Sequence, residues 1–416
     1  MKQFIKAIFL LVLFLYLAGC SLFESNTSLM SPPALPDAEE KILSALNQYV
    51  SSSAELLTPL NGEQSKSIIL EDLDGDGEEE AIVFYKEGTG TIKGIVLAKK
   101  DKWEKVTEIS GEGKYLYDLV FFDMNEDGQK EIFMGTSYSK TEEGSRVLFV
   151  YDIKKEPVLL LEESYSYFLV DQFGSTGSAL GLIKFQRGTE NLLSLYKMKD
   201  NNLSVIDGLK LDPYINGYVT LNSGKITPNE WGMMLDVGVG AHSGRTFIIS
   251  VKKGKLKNVF SDEENESANE EDPTFKASIV GSEDTNQDGI LEYAVLEDPV
   301  AADYSHADMP YITVFYQLDE KREPQVVSKA FYNYTFGYKI SIPLEWPAVK
   351  IKKTDDWKHV EMIQGDNEMV LFDVYVSEMK RMDHWEKLEE TDDYVYLSKT
   401  VTNENKHLFQ LIDVVE

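Results

Sequence analysis

Asp72-Leu-Asp74-Gly-Asp76-Gly77-Glu-Glu-Glu80 places side-chain oxygens at positions 1, 3, 5 and 9 of one short loop and a glycine at position 6. The spacing returns at Asp123-Met-Asn125-Glu-Asp127-Gly128-Gln-Lys-Glu131 and at Asp284-Thr-Asn286-Gln-Asp288-Gly289-Ile-Leu-Glu292. Oxygen-only ligands on one loop suit a hard cation, and calcium is the usual one. The alternating oxygens converge if the backbone curls around the ion, and a glycine at position 6 permits the left-handed turn this requires. The expected ligands are Asp72, Asp74, Asp76 and Glu80; Asp123, Asn125, Asp127 and Glu131; and Asp284, Asn286, Asp288 and Glu292. The first loop has four carboxylates against three in each of the others, so it is expected to bind most tightly.

A helix–loop–helix site would need an acidic ligand at position 12, where Val83, Met134 and Val295 stand. The residues after each loop are strand-like: AIVFY, EIFMGT and LEYAVL. The loops therefore join strands. Asp72 and Asp123 are 51 residues apart, and Asp123 and Asp284 are 161 apart, which leaves room for two units without the acidic loop. Unit one is read as Ser67–Leu70, Ala81–Lys86, Thr91–Lys99 and Trp103–Ile109, and unit two as Tyr115–Phe122, Glu131–Tyr138, Arg146–Ile153 and Val158–Glu163. Unit three is Tyr165–Asp171, Ala179–Gln186, Leu192–Met198 and Leu203–Leu209, and unit four is Tyr214–Asn222, Trp231–Gly240, Arg245–Lys252 and Lys255–Phe260. Unit five is Phe275–Gly281, Glu292–Glu297, Tyr311–Gln317 and Gln325–Phe331. Four-stranded units at this period predict a mainly β fold, a five-bladed β-propeller over 59–332.

The pattern D-x-[DN]-x-D-G-x-x-E followed by an apolar strand resembles the FG-GAP/VCBS repeat of integrin-α-type propellers. The resemblance covers blades one, two and five. It implies calcium held structurally between a blade's first two strands, and no metal in blades three and four.

The N-terminus has its own logic. Lys2 and Lys6 precede a short apolar run, Ala7–Tyr16, which ends at Leu17-Ala18-Gly19-Cys20. The run is too short to span a bilayer comfortably. It resembles a bacterial lipoprotein signal, over 1–20, whose cysteine is lipidated. That implies a mature chain anchored at Cys20 on the extracytoplasmic face of the cell membrane, without crossing it. Cys20 is the one cysteine of the chain, so no intramolecular disulfide forms, and calcium is the expected staple. Residues 21–36, Pro-rich and polar, read as a tether. A helix is expected over about Asp37–Ser51, within an N-terminal segment 37–58, with Asp37 as N-cap and Glu40 as its capping-box partner. The formal charge of −30 argues against nucleic-acid binding, which needs Lys and Arg on the phosphates.

From 333 to 416 a small α+β accessory domain is expected, with a helix at about Glu378–Glu390 following the spacing of Met379, Met382, Trp385 and Leu388. Tyr-Thr-Phe-Gly-Tyr-Lys-Ile-Ser-Ile-Pro-Leu-Glu-Trp (334–346) resembles the opening strand of PsbP-like modules, which implies docking rather than chemistry. The histidines at 242, 306, 359, 384 and 407 form no metal-ligand pair at helical spacing. Neither a phosphate loop nor a nucleophile elbow is present. The main expectation is therefore a non-enzymatic, membrane-anchored propeller that binds a protein or glycan ligand at the cell envelope. The alternatives are a glycan-active propeller hydrolase with a carboxylate pair, and an envelope assembly factor.

Overall fold

The structure, a computed structural model, describes residues 37–61, 66–88, 90–141, 145–154, 156–200, 202–260, 272–300, 303–365, 368–378 and 383–412. Cys20 and the expected signal and tether lie outside the described residues. Among the described residues no helix is long and apolar enough to cross a membrane. Among the described residues the molecule is mainly β, with one α-helix, α1 (Asp37–Leu46), and six antiparallel sheets.

Sheet one holds β1 (Glu55–Leu57), β2 (Ile68–Glu71), β3 (Glu80–Lys86), β4 (Thr91–Lys99) and β5 (Trp103–Glu112). β1 and β2 share one edge of β3, with Leu57 opposite Phe84 and Ile68 opposite Val83, so they act as one interrupted strand. Sheet two is a meander of β6 (Tyr115–Phe122), β7 (Glu131–Ser137), β8 (Arg146–Asp152) and β9 (Val158–Tyr165). Sheet three repeats it with β10 (Tyr167–Gln172), β11 (Ser178–Gln186), β12 (Glu190–Lys199) and β13 (Asn202–Lys210). Sheet four does so with β14 (Gly217–Thr227), β15 (Glu230–Val239), β16 (Ser243–Lys252) and β17 (Lys255–Asn258). β18 (Tyr293–Glu297), β19 (Ile312–Leu318), β20 (Pro324–Asn333) and β21 (Tyr338–Ser341) begin sheet five. Sheet six follows with β22 (Val349–Lys353), β23 (His359–Gln364), β24 (Val370–Ser377), β25 (Glu386–Glu390) and β26 (Val395–Ser398), and β27 (Phe409–Leu411) returns to pair with β21 in sheet five.

The second strands are buried along their length because successive side chains serve two different interfaces. On β7, Ile132 and Met134 pack toward sheet one, while Phe133 packs toward sheet three. On β11, Leu180 and Leu182 face sheet two, and Ala179 and Ile183 face sheet four. On β15, Met233 and Leu235 face sheet three, and Met234 joins Tyr293 of sheet five. Sheet one uses Ile82 and Phe84 toward sheet two. Its opposite face, with Ala81, Val83 and Tyr85, is covered by Ile42, Leu46 and Val50. The packing thus runs in series from α1 to sheet six. Among the described residues no core cluster leads from sheet five or six back to sheet one.

Four expectations need correction. α1 ends at Leu46 rather than near Ser51, because the chain tightens into turns in which Tyr49 and Val50 N–H both donate to the Leu46 carbonyl. Phe275–Gly281 is not the first strand of unit five: it makes a single bridge, Lys276 to Gly244. The expected boundary at 332/333 cuts across hydrogen-bonded strands, since β20 pairs with β21, and Phe331 shares a core with Tyr338, Val360 and Phe372. Finally, the C-terminal module has no α-helix among its described residues. Glu386–Glu390 is a strand paired with Val395–Ser398, and Leu388 is its one buried residue.

The displaced 275–281 segment is held by a buried ion pair. Lys276 Nζ donates to Asp236 Oδ1 at 2.7 Å, and both side chains are 1 % exposed.

Candidate functional site

The acidic loops share one hydrogen-bond plan. The position 1 carboxylate accepts from the position 6 glycine N–H: Asp72 from Gly77 at 3.1 Å, Asp123 from Gly128 at 2.9 Å and Asp284 from Gly289 at 2.8 Å. These glycines have φ of 90°, 90° and 83°, the left-handed region expected of them. The position 5 aspartate accepts from the N–H two residues on, as Asp76 does from Glu78 and Asp127 from Gln129. The position 9 glutamate reaches back to the position 2 N–H: Glu80 to Leu73 (3.0 Å), Glu131 to Met124 (2.7 Å) and Glu292 to Thr285 (2.7 Å). Leu73 and Met124 are buried, so position 2 plugs the first two loops into the core.

Each loop also ties adjacent sheets together. Lys130 N–H, leaving the second loop, donates to the Leu73 carbonyl of the first at 2.7 Å, and its ammonium pairs with Glu71. A side chain on Gly75 would meet the Gly128 carbonyl oxygen at 2.4 Å, so loops one and two are in direct contact. Glu126 accepts from Ser178 N–H of sheet three at 2.8 Å, and Leu291 N–H donates to Lys225 of sheet four at 2.8 Å.

The loops differ as donor sets. Asp72, Asp74 and Glu80 bring carboxylate oxygens within 4.8 Å of one another, and so do Asp284, Asp288 and Glu292. Asp76 stands outside the first group. Asp123, Asp127 and Glu131 do not gather in the same way, and there Asn125 Nδ2 donates to Glu131 Oε1 at 2.8 Å. Burial pushes Glu292 up to about 7, with Asp284 and Asp288 adding repulsion. Burial likewise pushes Glu131 up to about 7, with Asp152 and Asp123 contributing. Glu80 is raised for the same reasons, burial first and then Asp74, Asp76 and Asp72. Desolvated carboxylates facing other carboxylates are what a divalent cation neutralises, so the first and third loops are the two that could hold a metal ion.

A second feature lies at the other end of the sheets. The first-to-second strand connections carry the acidic loops, so the second-to-third strand hairpins lie opposite them. There a groove of about 810 Å³ opens between sheets two, three and four. Arg146 sits at its base, 4 % exposed, with its guanidinium 3.7 Å over the Tyr117 ring. It donates to Tyr117 Oη (2.9 Å) and to the Ser166 carbonyl (2.8 Å). Tyr165 donates its hydroxyl to Asp118. Tyr218 donates to Asn191 Oδ1 at 2.7 Å and meets the rings of Tyr167 (5.1 Å) and Phe185 (5.8 Å). Burial raises the Tyr165 and Tyr218 hydroxyls well above the usual phenol range, so both remain neutral donors. Lys184, paired with Glu163 at 2.8 Å, and the exposed Arg187 complete the cationic side. Glu190 is the one carboxylate of the lining, so the pair needed for hydrolysis is not assembled in this groove.

Sequence reading missed this groove because its residues come from six strands and a hairpin, with no fixed spacing. The available signal was Tyr165-Ser-Tyr167 at a junction between two strand units.

No family model matches the chain, and no curated protein matches it. Solved structures do. An exotype rhamnogalacturonan lyase, YesX, aligns at 11 % identity and TM-score 0.28, over 73 % of this chain and 71 % of that one. The Bacillus licheniformis rhamnogalacturonan lyase PL11 aligns at 11 % identity and TM-score 0.37, over 83 % and 72 %. Both are named as enzymes of a glycan. The expectation of ligand or protein binding as the chain's role is corrected accordingly, and the glycan-active alternative is carried forward. At these TM-scores no residue or geometry is transferred from either structure.

Proposed function

We propose that the chain is a glycan-active protein that takes an acidic polysaccharide in the groove between sheets two, three and four. One observation carries this. On a chain with 71 acidic and 41 basic residues, the groove gathers Arg146 and Arg187, with Lys184 held by Glu163, against a single carboxylate of the lining, Glu190, beside tyrosine and phenylalanine rings. A local excess of cations on a protein of charge −30 selects anions, and flat rings suit the C–H face of a sugar. Cations of this kind neutralise a uronate carboxylate and stabilise the charge that develops when the proton beside it is removed. The lining therefore suits β-elimination better than hydrolysis by a carboxylate pair, with Glu190 as the available base. Incubation with polygalacturonate is expected to give unsaturated uronide products, read by ultraviolet absorbance. Arg187→Glu should abolish the product, lowering the rate by at least about a hundredfold through loss of about 3 kcal/mol of charge stabilisation. Absence of both binding and product with uronate polymers, or full activity in Arg187→Glu, overturns the reading.

The remaining assignments support this role. Asp72, Asp74 and Glu80, and Asp284, Asp288 and Glu292, are proposed to hold calcium as joints between sheets. The groove lies away from them, so the ion's part is structural. The five serially packed sheets are read as propeller-like blades, in the order in which β10 lies against β14 and β13 against β17. Cys20 is proposed to hold the protein at the extracytoplasmic face of the membrane. Cys20→Ala should move it to the soluble fraction on cell fractionation, and retention on membranes would remove the anchor.

A further inference from the structure

A second cavity, of about 520 Å³, opens at the same end of the molecule between sheets four, five and six. Its walls differ in kind from those of the groove. Among the described residues no Asp, Glu, Lys or Arg lines it, and His242 is its one titratable side chain outside the tyrosines. The rings stand in near-parallel pairs: Phe331 with Trp357 at 6.4 Å and 10°, and Tyr332 with Tyr334 at 5.7 Å and 10°. Tyr334 is 58 % exposed and Ile279 45 % exposed, so apolar surface stands open to water here, the usual mark of a binding site. Asn333, 1 % exposed, donates to Tyr338 Oη and the Trp357 carbonyl and accepts from Phe336 N–H, which fixes the hairpin carrying Tyr332 and Tyr334.

The two cavities adjoin. Asn216 lines the groove and Ile279 lines the second cavity. Both come within 3.5 Å of the point where a side chain on Gly238 would begin. A chain-like ligand leaving the groove over this point enters the ring-lined cavity directly.

We infer that the second cavity is a subsite for an uncharged sugar residue of the same polymer; this rests on the acidic-glycan reading of the groove. An anionic residue would lose its hydration there and find no cation in the lining in return, since Lys353, over the Trp357 ring at 4.1 Å, is itself 4 % exposed and faces Asp308. A neutral pyranose keeps its hydroxyls toward water and lays its C–H face on the exposed ring of Tyr334. The polymer recognised thus has acidic residues with neutral ones beside them.

Titration calorimetry on the full mature chain tests this with two probes, an acidic disaccharide and a longer hexasaccharide that carries both acidic and neutral residues. The wild type should bind the hexasaccharide at least about tenfold more tightly than the disaccharide. Tyr334→Ala and Ile279→Asp, both at exposed positions, should each remove that advantage and leave disaccharide affinity unchanged, while Tyr334→Phe keeps it. An equal affinity for the two probes, or an advantage that survives both variants, overturns the second subsite while the groove stands. Failure of the wild type to bind either probe overturns the acidic-glycan reading and this inference with it. Unchanged melting of each variant shows that the fold is intact.

Discussion

Asp236→Ala is expected to lower the stability of the protein by about 3–5 kcal/mol, the cost of stripping one partner from a buried ion pair. The site explains the size of the effect. Asp236 Oδ1 accepts from Lys276 Nζ, from Thr246 Oγ1 at 2.6 Å and from Ser282 Oγ at 2.9 Å. Its Oδ2 accepts from Ser282 N–H at 2.6 Å and Thr220 Oγ1 at 2.5 Å. Removing the carboxylate leaves a buried ammonium and several donors without an acceptor. Burial pushes the Asp236 carboxyl up, but Lys276 and the hydroxyl donors outweigh it and hold the group below the usual aspartate range. Its folded value is depressed, so the stability it contributes is present above about pH 4 and is lost as the pH falls through the folded value. Urea unfolding at neutral pH measures the change. A loss under about 1 kcal/mol would show that the pair is dispensable. Lys276→Met should fall in the same range, because it leaves the carboxylate buried without its counter-charge.

The second large effect concerns the acidic loops. In the presence of chelator, stability is expected to fall as the pH rises from about 4.5 to about 7. The sign follows from the direction of the shift: Glu131 and Glu292 have folded values raised to about 7. Over that range the folded state keeps protons that the unfolded state has released, so ionisation opposes folding. Each glutamate accounts for about 3 kcal/mol, at about 1.4 kcal/mol per pH unit. Calcium should reverse the Glu292 part of the trend, most strongly above pH 7, and its binding at pH 6 should release protons, which calorimetry in buffers of different ionisation enthalpy detects. Glu292→Gln should remove about half of the slope seen in chelator. Identical unfolding midpoints at pH 5 and pH 8 in chelator, with no shift on adding calcium, would dismiss these loops as cation sites.

Much of this was legible in the chain because the repeat is marked by chemistry and not by hydrophobicity alone. Asp72 and Asp123 fix the period, and the strand runs of units one to four fall within a few residues of the observed strands. The left-handed glycines at 77, 128 and 289 follow from the same spacing. What was lost depended on contacts between units. Phe275–Gly281 has the composition of a strand, yet the Asp236–Lys276 pair sets its path, and a lysine in such a run reads as exposed. Leu388 suits either a helix or a strand until its partner Val395–Ser398 is known. The second loop's acids do not gather as those of the other two do, and the spacing, which is the same in all three, does not reveal it. The groove depends on Arg146, Tyr165, Lys184 and Tyr218 converging from three sheets.

The helix α1 gains a different importance once the serial packing is considered. It stands where another sheet would otherwise lie, and it closes the first interface with Ile42, Leu46 and Val50. Among the described residues the molecule is therefore held as a row of links, each interface sharing a sheet with the next, with no core cluster common to all of them. Stability in such a row is a sum of nearest-neighbour terms, and opening at one end need not disturb the other. The groove between sheets two, three and four sits in the middle of the row, where fraying from α1 or from sheet six reaches last.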